Sequence, residues 1–271
     1  MNIEEKTQKV KEILTHLESV VVAYSGGVDS TLLLKIAFDT LGEKAIGITA
    51  ISASLPSQER SETEKIALQI GAKHQFITSH ETDDPNYLAN TPDRCFFCKN
   101  DLFDRLVIFA NHNGYDNIVD GTNADDAHDH RPGRRAAEQY GVRSPLQEAG
   151  LTKAEIREVA KSMGLPNWDK PAAACLSSRI PYGTPITLEV LSQVDRAELV
   201  LHQMGLHQLR VRHHDKVARI EVDTKDFEII LQKRQQIVDR LKEIGYNYIT
   251  LDLSGFRSGS MNEVLKISGH K

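Results

Sequence analysis

The sequence is poor in cysteine and in uninterrupted apolar runs, and each shortage removes a class of protein. Three cysteines among 271 residues are too few, and odd in number, for the disulfide framework of a small secreted domain. No apolar stretch is long enough to span a bilayer, and Met1 leads straight into an acidic-basic amphipathic segment rather than a signal-like leader. The expectation is a cytoplasmic protein with no membrane partner. Positive charge is not in excess either. A net charge of −5 and a pI near 6.1 argue against a large nonspecific nucleic-acid surface and leave room only for a local basic pocket. No internal repeat or low-complexity tract interrupts the chain. With 40% hydrophobic and 26% charged residues, the composition is that of a globular protein able to bury a full core, in one large domain and a smaller one.

The most informative stretch is Ser25-Gly26-Gly27-Val28-Asp29-Ser30-Thr31. It lies between the apolar run at 20–24 and a helical pattern from Leu32 onward. A buried strand that turns on glycines into a helix leaves unpaired N–H groups at the positive end of the helix dipole, where phosphate is the natural guest. Gly26 and Gly27 let the backbone approach an anion closely. Ser25, Ser30 and Thr31 add hydroxyl donors, and Asp29 can hold Mg²⁺ or the far side of a nucleotide. No lysine follows the glycines, so this is not the common P-loop. An ordinary Ser/Gly turn at a helix start is the plain alternative.

Periodicity places helices at 4–17, from 32 to about 41, at 57–71, 96–111 and 152–163. Strands fall at 20–24, 45–50, 74–78, 117–120 and 142–146. Five alternations of strand and helix predict an α/β fold: an open parallel five-stranded sheet with helices on both faces. Ligands of such sheets bind beyond the carboxyl ends of the strands, where the 25–31 loop and the loop after Asp120 would meet. Residues 1–165 form this domain in the reading, and 166–185, rich in Pro, Ala, Ser and Gly, a linker. Residues 186–271 form a smaller C-terminal α/β domain, with helices at 187–204 and 226–244 and strands at 209–214, 216–222 and 247–253.

Cys95 and Cys98 stand three apart at a helix start, on one face, and Cys175 lies in the linker. Three thiolates are one short of a closed structural zinc site but suit an iron–sulfur cluster with one iron open to a small ligand. A redox dithiol, a zinc site completed by one of eleven histidines, a lone nucleophile at Cys175 and inert core residues are the competing readings.

The glycine loop is similar to the pyrophosphate loop of ATP pyrophosphatases that activate substrates as adenylates. With DG at 120–121, RPG at 131–133, SSRIPYGT at 177–184, RVR at 210–212 and GFRSGSMN at 255–262, nearly the whole chain resembles the LarE family. These are the sulfur transferases that help build the nickel-pincer nucleotide cofactor of lactate racemase. The resemblance implies ATP and Mg²⁺ at Ser25, Gly26, Gly27, Asp29, Ser30 and Thr31. It implies adenylation of the carboxylates of pyridinium-3,5-dicarboxylate mononucleotide and their conversion to thiocarboxylates. It further implies a 4Fe–4S cluster on Cys95, Cys98 and Cys175 that delivers sulfur, with an external sulfide source, and a homo-oligomer. Sacrificial use of the Cys175 sulfur is the alternative route within the family.

In the same framework Ser178, Arg179, Arg210, Arg212 and Arg257 are expected around the substrate. Arg210 and Arg212 alternate on one strand and so share a face fit to grip a phosphate. The competing reading is a solvated strand face shared by Arg210, Arg212, Arg219 and Glu221. Asp120, Asp125 and Asp126 are turn residues or Mg²⁺ helpers. His128 and His130 carry no assignment. Trp168 and Tyr182 either stack on a base or pack. A tRNA-thiolating enzyme is the nearest rival, disfavoured by the acidic charge and by the absence of a basic extension. An ATP-binding iron–sulfur redox sensor is the rival from a different class.

Overall fold

Val20-Val21-Val22-Ala23 builds the central strand because its β-branched side chains are apolar on both faces, as a strand covered by helices on either side requires. A computed structural model describes residues 1–128, 132–171, 174–257 and 260. The chain divides into two compact units. The first comprises Met1–Ser52, Gln58–Tyr87 and the described residues from Pro92 to Ala173. The second comprises Ala53–Ser57, Leu88–Thr91 and the described residues from Ala174 onward. Two short segments of the first half of the chain thus join the second unit.

Up to the division the elements run α1 (Ile3–Leu17), β1 (Val20–Ala23), α2 (Val28–Leu41), β2 (Ala45–Ile51), α3 (Ser57–Gln69) and β3 (Lys73–Thr78). They continue with α4 (Pro85–Leu88), α5 (Arg94–Asn113), β4 (Asn117–Asp120), α6 (Pro132–Gln139), α7 (Pro145–Glu148) and α8 (Lys153–Ser162). The sheet is parallel in the order β3-β2-β1-β4, with Val20 opposite Ala45 on one side and Asn117 on the other. Val20 and Val22 pack on one face with Val10, Leu14, Leu33 and Ile156, whereas Val21 faces Phe103, Leu106 and Ala136. Helices therefore cover both faces, as expected.

Among the described residues the sheet has four strands, not five. The stretch at 142–146 reaches β4 only through one bridge, Val119 to Arg143. Pro145 then starts α7, so the extended stretch ends at Ser144 and the chain turns into a helix.

In the second unit α9 (Leu188–Gln203), β5 (Leu209–His214), β6 (Val217–Val222), α10 (Phe227–Gln232), α11 (Arg234–Ile244) and β7 (Tyr248–Leu251) follow in order. β5 and β6 form an antiparallel hairpin, and β7 lies parallel to β6. Its core is Ala197, Leu201, Val211, Ile220, Ile237 and Leu241 with their neighbours. The helix expected at 226–244 is two. Lys233 leaves helical dihedrals between them, and its ammonium is held by the Met204 carbonyl at 2.7 Å.

The segments borrowed from the first half are stitched in by backbone. Leu176 N–H donates to Ser54 O at 2.8 Å, Gly183 N–H to Asn90 O at 3.1 Å, and Ile186 N–H to Leu88 O at 2.8 Å. The fully buried Asn90 adds side-chain bonds to Pro181 O and Thr184 O.

Candidate functional site

In the first unit the Ser25–Thr31 loop connects β1 to α2. Gly27 is the residue before the helix, and among the described residues no side chain caps it. The first-turn N–H groups are therefore left to a ligand or solvent. Ser30 closes the loop from within. Its hydroxyl donates to Gly27 O at 3.1 Å, stands 3.1 Å from the Ser25 hydroxyl, and accepts from Ser25 N–H.

Two glycines are obligatory here. Gly26 has φ of +72° and its missing Cβ would stand 2.6 Å from the Thr63 hydroxyl. Gly121, just after β4, would bring a Cβ to 2.8 Å from Ser30 N and 3.1 Å from Ser30 Cα. Backbone cannot rotate away as a side chain can, so Gly121→Ala must displace the start of α2. The expected cost is about 1–3 kcal/mol in thermal unfolding, with weakened binding of magnesium-ATP by titration.

Thr31 is fully buried rather than facing a ligand. Its hydroxyl accepts from the Asn167 amide at 2.9 Å, and the same amide group donates to Gly26 O at 2.9 Å. Asn167 comes from the 166–171 stretch, whose Lys170 is clasped by Glu59 and Glu62 of α3. Sequence reasoning missed Asn167, since nothing in a Pro-rich stretch marks a partner 141 residues away.

Asp29 sits in the first turn of α2. Its Oδ2 lies 2.5 Å from Lys153 Nζ, and its Oδ1 is buried with no hydrogen-bond partner among the described residues. Burial pushes its carboxyl above the usual range, and Lys153 offsets this only in part. Asp120 accepts from Thr122 and Ser144, and Asp125 from the Lys153 N–H. Both serve as local turn and helix-start acceptors. Trp168 packs against the core under Lys161.

Cys95 and Cys98 lie one turn apart at the start of α5, and Cys98 Sγ donates to the buried Glu81 carboxylate at 3.3 Å. That carboxylate also accepts from Ser52 and Ser79. Among the described residues no group of three or more His, Cys, Asp or Glu side chains is gathered for a metal.

In the second unit Cys175 is half-buried and precedes a single turn at 176–179. Arg179, 2% exposed, donates to Ala174 O at 2.6 Å, Cys175 O at 3.0 Å and the Ser178 hydroxyl. The rest of its guanidinium forms a bidentate pair with Glu198 of α9 at 2.9 and 2.8 Å. Glu198 also accepts from Val211 N–H of β5. It too was missed, although a signal existed. Glu198 lies on the apolar stripe of Leu191, Val194 and Leu201, and a charge there needs a buried partner.

Arg210, Arg212, Arg219 and Glu221 share one face of the β5–β6 hairpin, as alternation predicts. The face is not a solvated one. Glu221 is fully buried, and Arg212 is 5% exposed. Arg212 donates to Glu221 at 2.8 Å, to Ser178 O at 2.9 Å and to the Ser260 hydroxyl at 2.9 Å. Its fork is thereby used within the protein. Arg210 lies over the Phe256 ring and Arg257 is exposed. Arg131, His130, Ser258, Gly259, Met261 and Asn262 of the sequence motifs lie outside the described residues.

No family model matches the chain. It is 43% identical over 265 residues to an uncharacterized protein of Synechocystis sp., covering 97% of this chain and 99% of that one. It is 39% identical over 253 residues to pyridinium-3,5-bisthiocarboxylic acid mononucleotide synthase of Lactiplantibacillus plantarum, covering 93% and 92%. A weaker likeness, 24% over 228 residues and covering 76% and 70%, is to one component of the glutamine-hydrolyzing GMP synthase of Archaeoglobus fulgidus.

Proposed function

Because the chain belongs to the LarE family of sulfur-transferring, ATP-dependent synthases, we propose that it adenylates the carboxylates of pyridinium-3,5-dicarboxylate mononucleotide and converts them to thiocarboxylates. The 39% identity across 93% of the chain carries this reading. The uncapped start of α2 and the unpartnered Asp29 Oδ1 support ATP and magnesium at the Ser25–Thr31 loop. Magnesium bound with a nucleotide takes one or two carboxylates and the phosphates, so a single aspartate suffices.

In the first step a substrate carboxylate oxygen attacks the α-phosphorus. The bond to the bridging oxygen breaks, and pyrophosphate leaves with that electron pair. Backbone N–H groups at 26–30 hold the departing charge. A sulfur nucleophile then adds to the acyl carbon, and AMP leaves with the electrons of the carbon–oxygen bond. A 4Fe–4S cluster on Cys95, Cys98 and Cys175 would supply inorganic sulfide for this step in place of a side chain's own sulfur. The three thiols are the right donors for it. An external sulfide source, a homo-oligomer and a cytoplasmic location complete the proposal on family likeness.

With Arg179 and Arg212 paired inside the second unit, they set the backbone of Cys175 and Ser178. Arg210, on the same strand face, and the exposed Arg257 are the residues we assign to phosphate recognition on family likeness. Arg257→Ala is expected to raise the substrate KM about tenfold and leave the KM for ATP unchanged, since charged hydrogen bonds contribute ~1.5–3 kcal/mol. An unaltered substrate KM refutes that assignment.

Anaerobic purification followed by iron, sulfide and zinc analysis, with mass spectrometry after turnover, tests the sulfur source. Iron and sulfide with an intact Cys175 support the cluster. Loss of the mass of H₂S at Cys175 contradicts it in favour of sacrifice.

A further inference from the structure

The peptide unit between Gly26 and Gly27 is held unequally on its two edges. Its carbonyl is turned into the protein, where the Asn167 amide donates to it at 2.9 Å. Its N–H lies on the opposite edge of the planar trans unit. There it meets the hydroxyl of the exposed Ser25 at 3.4 Å, a long and weak bond. Such a unit is the easiest in a chain to turn over, because glycine on both sides leaves either sign of φ open. Turned over, it would aim a carbonyl oxygen at the place an anion occupies, and the loop would repel phosphate.

Asn167 is built in firmly. It is 5% exposed, and its own carbonyl accepts from Lys170 N–H at 3.1 Å. Arg157 holds the Lys170 carbonyl at 3.0 Å, and Glu59 and Glu62 of α3 hold the Lys170 ammonium. The next turn of α3 brings Thr63 against Gly26, so the glycine has α3 on one side and the asparagine on another. The same amide nitrogen donates to the Thr31 hydroxyl in the first turn of α2. Gly26 O can only accept, so the NH₂ of the amide faces the loop. Its Oδ1 is left buried with no hydrogen-bond partner among the described residues. An unmet buried acceptor destabilises, and a leucine of similar size would avoid it. Packing alone therefore does not account for an amide at this place.

We propose that Asn167 is a positioning residue that locks the Gly26–Gly27 peptide with its carbonyl inward and its N–H toward the phosphates. It acts through the loop and sets the donor's direction before any ligand arrives. This rests on the reading that residues 25–31 take the phosphates of ATP.

The test compares full-length wild type, Asn167→Leu, Asn167→Asp and Gly27→Val by calorimetric titration with magnesium pyrophosphate, with thermal unfolding to show that each is folded. Titrations are run at about pH 8 and about pH 5.5, on either side of the range to which burial raises a carboxyl. Asn167→Leu is expected to bind pyrophosphate about tenfold more weakly than wild type at both. Asn167→Asp keeps the size of the side chain and carries the comparison if the leucine variant unfolds. As a carboxylate it has no donor for Gly26 O and should match the leucine variant at the higher pH. Once protonated it regains one donor, so its deficit against wild type should shrink several-fold at the lower pH. A merely structural role gives no recovery that follows one side chain's proton. Wild-type affinity in Asn167→Leu, or a deficit in Asn167→Asp that is the same at both pH values, overturns the proposal. Gly27→Val separates this from the loop reading, since a Cβ at Gly27 meets nothing closer than 3.5 Å. If Gly27→Val binds pyrophosphate like wild type, the loop is not the phosphate site and the inference falls with it. If it loses pyrophosphate while both Asn167 variants keep it, only the role of the asparagine is refuted.

Discussion

Cys175→Ala is expected to abolish thiocarboxylate formation, a loss of at least about a thousandfold, while the protein stays folded and binds ATP as before. Both sulfur routes pass through this residue, as cluster ligand or as donor. Its fixation is through backbone. The Cys175 carbonyl accepts from Arg179 and from Ser178 N–H, and neither bond involves the thiol. Alanine therefore keeps the turn at 176–179, and the unit's core is untouched. Cys175 is not among the residues proposed to hold ATP, so magnesium-ATP affinity should match wild type. Anaerobic product analysis by mass spectrometry checks the first part and calorimetry the second. Residual thiocarboxylate near wild-type yield would remove Cys175 from the mechanism.

The second large effect is on stability. Glu221→Ala leaves the buried Arg212 and the neighbouring Arg219 without their shared carboxylate. Removing one partner of a buried pair costs about 3–5 kcal/mol, because the remaining charge keeps its desolvation penalty. Against a total stability of about 5–15 kcal/mol, that is enough to unfold a small unit near physiological temperature. The double variant Arg212→Met/Glu221→Leu removes both charges, and Arg219 keeps Asp252 at 2.6 Å. It is expected to recover most of the loss, since apolar replacements of buried pairs are often neutral. Urea unfolding followed by circular dichroism separates these outcomes. Equal destabilisation by the single and the double variant would mean that packing, rather than charge pairing, governs this face.

The features legible in the sequence are those whose signals are local. The run Val20–Ala23, the glycines after it and the periodicity of α2 announce strand, loop and helix in the order found. The fifth strand failed for an equally local reason, because Pro145 outweighs the apolar residues around it. Long-range pairings left no mark. Alternation places Arg210 and Arg212 on one face, but charged residues are exposed so often that burial under Ser178 and Ser260 is invisible without the fold. Lys153 and Asp29 are 124 residues apart and no spacing joins them. The same holds for Asn90, which anchors the second unit from within the first half of the chain.

The central claim is that ATP is spent on the substrate's carboxyl group. It is tested most directly with pyridinium-3,5-dicarboxylate mononucleotide labelled with oxygen-18 in its carboxylates. After one anaerobic turnover with magnesium-ATP, the account predicts pyrophosphate and an AMP whose phosphate carries a labelled oxygen from the substrate. Formation of ADP and phosphate, or of AMP without label, would contradict it.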